Sequence, residues 1–566
     1  MSNQDEHEEA RFEPDWGLGA TLDPASFGAA LLDLGERLAR DPVKTSLAGG
    51  RLAAGLASAA ALTTARALGS RVEGAVEPDP GDARFADPAW EENPFYFGLR
   101  QGYLLWARYM RELVEIAGPD GRLVAKAEFA VEELINALAP TNFLPGNPAA
   151  LKKAFDTGGA SIARGLAKIV DDFVTNNGRP RQVDRSAFTL GEDLAATPGQ
   201  VVFRNELVEL IQFEPRTETV YETPLLFSPP WINKYYVMDL APGKSFAEWA
   251  VDHGHTTFCI SYRNPDESMR DLGFEDYLRL GPLSALEVVE EITGAKQTNI
   301  AALCLGGTIT AVLLGHLART KTGRARVRSA TLLNTLVDFS EPGPLGCFVD
   351  PTTVERLERR MEKRGYLDGS DMTGTFDVLR SNDLIWRYVV SGWLMGEDPP
   401  AFDILAWNAD ATRLPARMHS EYLRFAYLEN RLAQRSLEID GKAISLEDVR
   451  ADLYILSAVE DHITPWRSVY RATQLFGGAK RFVLTSAGHI AGIVNPPGGK
   501  RHHWTNEELP AAADAWLDGA TQSPGTWWED WAAWIGERSG EQGEPPTLGS
   551  RSHPPLEDAP GTYVRG

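Results

Sequence analysis

The run Asn299-Ile-Ala-Ala-Leu-Cys304-Leu-Gly-Gly-Thr308 places one cysteine between a short apolar stretch and two glycines, and a helical pattern begins directly after it. A side chain at such a strand-to-helix turn, a nucleophile elbow, is held out at the top of a sheet. Small residues two positions before and two after it let strand and helix approach. Ala302 and Gly306 fill those positions; glycine is usual at the first, and a methyl group is a mild departure. At a helix N-terminus the dipole and unpaired N–H groups favour thiolate, the nucleophilic form of cysteine. By itself the segment is equally compatible with a structural cysteine before a glycine turn.

Two later segments change that balance. Tyr454-Ile-Leu-Ser-Ala-Val-Glu-Asp461-His462 sets an acid just past an apolar run, and Phe482-Val-Leu-Thr-Ser-Ala-Gly-His489 sets a histidine just past the next. Nucleophile, acid, histidine is the chain order of α/β-hydrolases, and Cys304, Asp461 and His489 are expected to form a catalytic triad. Asp461 alone would read as a loop cap and His489 alone as a core histidine; the order of all three argues otherwise. His462 neighbours the acid and is expected to support the triad rather than serve as its base. An oxyanion hole would take one backbone N–H from Leu305 and one from the loop Pro229-Pro-Trp-Ile-Asn-Lys234, where Ile232 is the first choice and Asn233 the next. Cys259 lies in an apolar strand and Cys347 in a Gly/Pro loop, positions that suit packing.

These residues need a scaffold. Apolar runs near 223–228, 256–261, 299–303, 330–336, 453–457 and 481–485 alternate with helical segments, the pattern of βαβ units and a parallel sheet covered on both faces. More than a hundred residues rich in Trp and Tyr separate the fourth run from the fifth, far more than a crossover needs. That insertion, about 340–450, is expected to cap the carboxyl edge of the sheet. Before about residue 200 the texture is helical, with Asp23-Pro24 and Asn93-Pro94 as helix starts and a breaker cluster around Pro78-Asp-Pro-Gly-Asp82. The expectation is an α/β protein with a mainly helical N-terminal domain, 1–200, and a catalytic domain, 201–566. The stretch after Gly536, rich in Gly, Pro, Ser and Glu, reads as irregular. Trp527, Trp528, Trp531 and Trp534 put three rings on one helical face, where core packing is favoured over surface contact.

Composition bounds the function. In 566 residues, 56 Lys and Arg against 79 Asp and Glu give a net charge of −23, which repels a phosphate backbone and argues against nucleic-acid binding. Three scattered cysteines fit neither a disulfide framework nor a zinc site, and a reducing cytoplasm suits them. The acidic opening MSNQDEHEEA does not resemble an export signal, and the longest low-charge apolar stretch, 52–65, is too short to span a bilayer.

The sequence resembles the polyhydroxyalkanoate synthases, or poly(3-hydroxyalkanoate) polymerases, from about Arg84 to the C-terminus. The segments that carry the likeness are Phe85-Ala-Asp-Pro-Ala-Trp90, Pro140-Thr-Asn-Phe143, Thr197-Pro-Gly199, Pro229-Pro-Trp-Ile-Asn-Lys-Tyr-Tyr236, Asn264-Pro-Asp266, Asn382-Asp-Leu-Ile-Trp386, Trp407-Asn408, Glu460-Asp-His-Ile463 and Gly488-His-Ile-Ala-Gly492. The resemblance implies an α/β-hydrolase-fold catalytic domain with a cap, preceded by a helical domain, in a single-subunit synthase that acts as a homodimer on cytoplasmic polymer granules. The substrate would be 3-hydroxyacyl-CoA, with a lean toward short side chains, and the product a growing polyester. The other partners would be the granule surface and granule-associated proteins. No cofactor or metal is expected, since the CoA thioester is the substrate. Many short-chain synthases carry a cysteine shortly before Tyr-Leu-Arg in the cap; here Met418-His-Ser-Glu421 precedes Tyr422-Leu-Arg424. The rival readings are a cysteine thioesterase or hydrolase on the same fold and a non-catalytic granule-coating protein. A polyanionic CoA on this acidic chain requires local cations, for which Lys234, Arg387 and Arg413 are candidates, and the cap needs a moving part near 341–347 or 365–374.

Overall fold

A computed structural model describes residues 24–118 and 122–566. It divides into two compact units. One holds the described residues up to Gln182 together with Ser370–Pro399; the other holds Val183–Gly369 and Pro400–Gly566. Part of the long insertion thus groups with the N-terminal helices.

The first unit is helical. Helix α1 (Pro24–Arg40) is followed by α2 (Pro42–Ala67), which starts where the Asp41 side chain accepts the Lys44 N–H at 3.1 Å. The expected cap Asp23 lies outside the described residues. Helix α3 (Pro94–Ala117) is capped by Asn93, which accepts the Phe95 N–H at 2.9 Å, and α4 (Arg122–Ala137) packs beside it. The apolar stretch 52–65 lies within α2, against α3. Leu34, Trp90, Tyr103, Val131 and Ile135 fill the core of this unit. Residues 370–399 are tied in by hydrogen bonds from Asn382 to Asn136 at 2.7 Å and from the Trp393 indole to Asp172 at 2.8 Å.

The second unit is built on a sheet that has eleven strands among the described residues. In chain order they are β1 (Gly199–Arg204), β2 (Val208–Phe213), β3 (Leu225–Ser228), β4 (Thr257–Tyr262), β5 (Thr298–Leu303), β6 (Val327–Leu333), β7 (Asp452–Ala458), β8 (Lys480–Thr485), β9 (His502–Thr505), β10 (Thr521–Pro524) and β11 (Glu557–Asp558). Their spatial order is β10-β9-β8-β7-β6-β5-β3-β4-β2-β1-β11. The six strands from β8 to β4 run parallel, and every residue of β3, β4 and β5 is buried. That explains why they read as unbroken apolar runs.

All six expected strands are present, but the sheet is mixed rather than purely parallel. Antiparallel strands extend both edges, and the sequence concealed them behind charges such as Glu209 in β2. Glu209 is fully buried because Arg204 and the backbone N–H groups of Thr562 and Tyr563 bond to its carboxylate. The stretch after Gly536, expected to be irregular, supplies β11 on the edge of the sheet, and Gln542–Gly543 pairs with Val220–Tyr221. Its polar composition suits edge pairing, where one face meets water.

Parallel neighbours end on the same side. The carboxyl ends of β3, β5, β6, β7 and β8 therefore line one edge, and the loops that leave them carry the chemistry described next. Helix α5 (Leu305–Leu317) leaves β5, and α6 (Trp527–Gly536) packs behind the same edge.

Candidate active site

Cys304 joins β5 to α5 with φ 51° and ψ −117°, a backbone conformation that L-residues adopt only under constraint. The constraint is visible on both sides. Its N–H donates to the Leu333 carbonyl at 2.9 Å, and its own carbonyl accepts from Gly307 at 2.9 Å and Thr308 at 3.1 Å. A Cβ on Gly306 would lie 2.0 Å from the Ser228 carbonyl oxygen, and one on Gly307 would lie 1.9 Å from Thr335 Oγ1, so both glycines are required by close approach. Ala302 is fully buried in β5 between Ser228 and Leu332, and its methyl group is accommodated there.

Asp461 follows β7 and His489 follows β8. His489 Nδ1 lies 2.6 Å from Asp461 Oδ2, and both residues are 7% exposed. The other oxygen, Oδ1, accepts the backbone N–H groups of Ile463 at 2.8 Å and Thr464 at 2.9 Å, while the Thr464 hydroxyl donates to Oδ2 at 2.7 Å. Burial pushes the Asp461 carboxyl up, but His489 and these donors outweigh it and hold it below its ordinary value. Burial likewise opposes charge on His489; Asp461 and Cys304 overcome it and raise the imidazole to about 10. Cys304 acts electrostatically on the same imidazole, so the structure brings all three expected residues together. His462 is half-buried in the turn after Asp461, and the ring bonded to that carboxylate is His489, not His462.

The histidine loop is anchored from behind. Asn334, at the end of β6, donates to the His489 carbonyl at 2.6 Å. The indoles of Trp527 and Trp528 in α6 donate to the carbonyls of Gly492 at 2.8 Å and Ile493 at 2.9 Å. Trp527, Trp528 and Trp531 are at most 1% exposed, so the tryptophan-rich helix is core, as favoured.

The loop after β3 lies beside the elbow, as the Gly306–Ser228 approach requires. Leu305 opens α5, where the first-turn N–H has no intrahelical acceptor. Ile232 is half-buried, and Asn233 bridges to Ala411 while its side chain accepts the Lys234 N–H at 2.7 Å. The loop is further held by Thr412, which donates to the Trp231 carbonyl at 2.9 Å, and by the Trp407 indole, which donates to the Lys234 carbonyl at 2.8 Å. Lys234 is not a rim cation. Only 2% exposed, it points its ammonium at the Gly566 carbonyl oxygen, because the tail folds back over this loop. Arg413 stacks on Tyr366 with its guanidinium 4.8 Å from the ring, and Arg387 lies exposed in the first unit.

Sequence reasoning missed the aromatic wall above Cys304. Tyr422, in the cap helix Ala416–Tyr422, meets the Tyr427 ring edge-on at 5.8 Å, and both phenols are close enough to Cys304 to feel its charge. Burial pushes both phenols well up, so they stay neutral near the sulfur. Trp231 stands edge-on to Tyr422 at 6.0 Å, and Phe339 lies 5.1 Å from Tyr427. The only sequence signal was the Tyr-Leu-Arg motif; Thr464 and Asn334 gave none beyond falling after strand ends. Cys259 is fully buried, which pushes its thiol well up, and Cys347 is buried in the turn Gly343–Phe348. Among the described residues no three His, Cys, Asp or Glu cluster as a metal site would require.

Residues 81–250 match the family described as "Poly-beta-hydroxybutyrate polymerase (PhaC) N-terminus", and residues 228–496 match "alpha/beta hydrolase fold". The second unit accordingly has the α/β-hydrolase fold. A "Poly(3-hydroxyalkanoate) polymerase" from Methylorubrum extorquens is 43% identical, covering 98% of this chain and 93% of the relative. "Poly(3-hydroxyalkanoate) polymerase 2" from Ectopseudomonas oleovorans is 44% identical over 86% of this chain and 87% of its own. The "Poly(3-hydroxyalkanoate) polymerase subunit PhaC" of Cupriavidus necator is 40% identical over 86% and 83%.

Proposed function

The chain belongs to the poly(3-hydroxyalkanoate) polymerase family, and from that premise we propose that it polymerises (R)-3-hydroxyacyl-CoA into polyester with release of CoA, using Cys304, His489 and Asp461. The observation that carries the reading is the meeting of a strained elbow cysteine with a buried His489–Asp461 pair on one sheet edge. In the first step the Cys304 thiolate attacks the thioester carbonyl. The oxyanion would be held by the N–H groups of Leu305 and Ile232, and CoA leaves as the acyl group passes to sulfur. Because the product is again a thioester, the acyl group stays activated. His489, oriented by Asp461, then takes the proton of an incoming 3-hydroxyl as its oxygen attacks the acyl-enzyme; an ester forms and the cysteine thiolate leaves.

The aromatic wall supports this acceptor over water. Tyr422 and Tyr427 stand near the sulfur, backed by Trp231 and Phe339, and an aromatic surface of this kind would help to keep water from an acyl-thioester. A homodimer, residence on cytoplasmic granules and a domain division at about residue 200 belong to the same proposal. The test is incubation of the pure protein with 3-hydroxybutyryl-CoA, following CoA release and product size together. Polymer with stoichiometric CoA is expected. Free monomeric acid as the main product would replace the reading by a cysteine thioesterase, and no CoA release would favour a granule-coating protein.

A further inference from the structure

Resting on the triad just proposed, we infer that the Thr464 hydroxyl is a positioning residue of the reaction, setting the base strength of His489 by sharing the Asp461 oxygen that the imidazole uses. Thr464 touches no substrate atom; it acts through the carboxylate. Its hydroxyl has one proton to donate, with Asp461 Oδ2 at 2.7 Å and His489 Nδ1 at 3.4 Å. Nδ1 is itself 2.6 Å from Oδ2 and must spend its own hydrogen there, so the hydroxyl proton goes to the carboxylate. Oδ2 thus accepts two hydrogen bonds, and Oδ1 accepts two more from the backbone of Ile463 and Thr464.

The site is too dry to replace a lost donor, since Thr464 is 4% exposed and Asp461 and His489 are each 7% exposed. Each donor on a carboxylate spreads its charge and weakens its hold on the next proton. Removing the hydroxyl would leave more charge on Oδ2, bind the imidazolium more tightly and leave less of His489 in the unprotonated form that accepts the proton near neutral pH. The ionisable groups that act on His489 are Asp461 and Cys304, while His462 stands in the same turn and the cap phenols Tyr422 and Tyr427 lie within electrostatic reach of Cys304. None of them donates to Oδ2, so none can substitute for Thr464.

The test compares Thr464→Val, nearly isosteric but without the donor, with Thr464→Ser, which keeps it. In the full-length protein, kcat is measured against pH with 3-hydroxybutyryl-CoA, alongside KM and the thermal midpoint. For Thr464→Val the acid limb of kcat should move up by about 0.5–1 pH unit, so that kcat on that limb falls roughly three- to tenfold with KM unchanged; Thr464→Ser should restore the limb. A Thr464→Val profile that superimposes on the unaltered protein would overturn the inference. So would a Thr464→Ser variant as impaired as Thr464→Val, since the methyl group would then be what matters. If Thr464→Val fails to fold, Thr464→Ala against Thr464→Ser gives the same contrast. Release of free acid instead of polymer would sink the polymerase reading yet leave the limb readable, because water and hydroxyl acceptors need the same base. A Cys304→Ala variant that keeps turnover would remove the triad and this inference with it.

Discussion

Cys304 occupies a position where geometry and chemistry compete. Its positive φ costs on the order of 1–3 kcal/mol for a side-chain-bearing residue, a strain that glycine would avoid. Cys304→Ala and Cys304→Gly should both abolish turnover while keeping the fold, and the glycine variant should be the more stable by about 1 kcal/mol in denaturant unfolding. Retention of more than a few per cent of activity by either would remove the cysteine from the mechanism. His489→Ala should be nearly as damaging and His462→Ala mild; the reverse ranking would show that the wrong histidine carries the proton. The His489–Asp461 pair also has a signature in stability. A group raised from 6.5 to about 10 on folding contributes stability that is complete below 6.5 and is lost as pH climbs through about 10. The unfolding free-energy gap between the unaltered protein and His489→Gln should therefore narrow steadily from neutral to alkaline pH, and a gap independent of pH would contradict the ion pair.

Among elements, α6 bears more closely on the candidate site than its distance in sequence implies. Trp527 and Trp528 satisfy carbonyls three and four residues beyond His489, so replacing either by Phe leaves a buried carbonyl unpaired, at a cost of about 1–3 kcal/mol. Trp527→Phe should lower both the thermal midpoint and kcat; a drop in the midpoint with kcat intact would show that the loop finds its place without the indole. The loop after β3 gives the opposite expectation for Lys234. As a buried cation facing Gly566, it should affect stability when changed to Met, while the KM for CoA substrate stays within about twofold. A severalfold rise in KM without loss of stability would return Lys234 to the phosphate site.

On the scale of the molecule, the cap and the net charge of −23 are expected to govern access. The segment that enters the cap is clasped: Arg471 pairs with Glu341 at 2.7 Å and Asp338 at 3.6 Å, and Ser468 donates to the Glu341 carbonyl at 2.6 Å. Of these, the pair to the exposed Glu341 is of the weak surface kind, so residues 341–347 are suited to open while Phe339, next to the part-buried Asp338, stays packed on Tyr427. Turnover is expected to start slowly and accelerate as chains form. Hydrogen exchange across 341–347 should fall when a CoA analogue binds, and Arg471→Ala should shorten the lag. Exchange as slow there as in the central strands, and indifferent to ligand, would mean that substrate enters by a permanently open channel.

How much of this was legible beforehand follows from range of interaction. The six parallel strands could be read because strands buried on both faces are apolar throughout, and the elbow could be read because strand, cysteine and two glycines are contiguous. Asp461 and His489 could be read because each directly follows such a strand. The edge strands could not be, since a charge such as Glu209 becomes tolerable in a strand only when Arg204 and the tail 562–563 meet it. Nor could the burial of Lys234, the packing of Trp527 and Trp528 behind His489, or the arrival of Tyr422 and Tyr427 over Cys304. Local order along the chain determined which residue types stand at the sheet edge. Tertiary packing alone decided their partners, because a hydrogen bond or a desolvated charge depends on atoms that lie outside the local run of sequence, some of them hundreds of residues away.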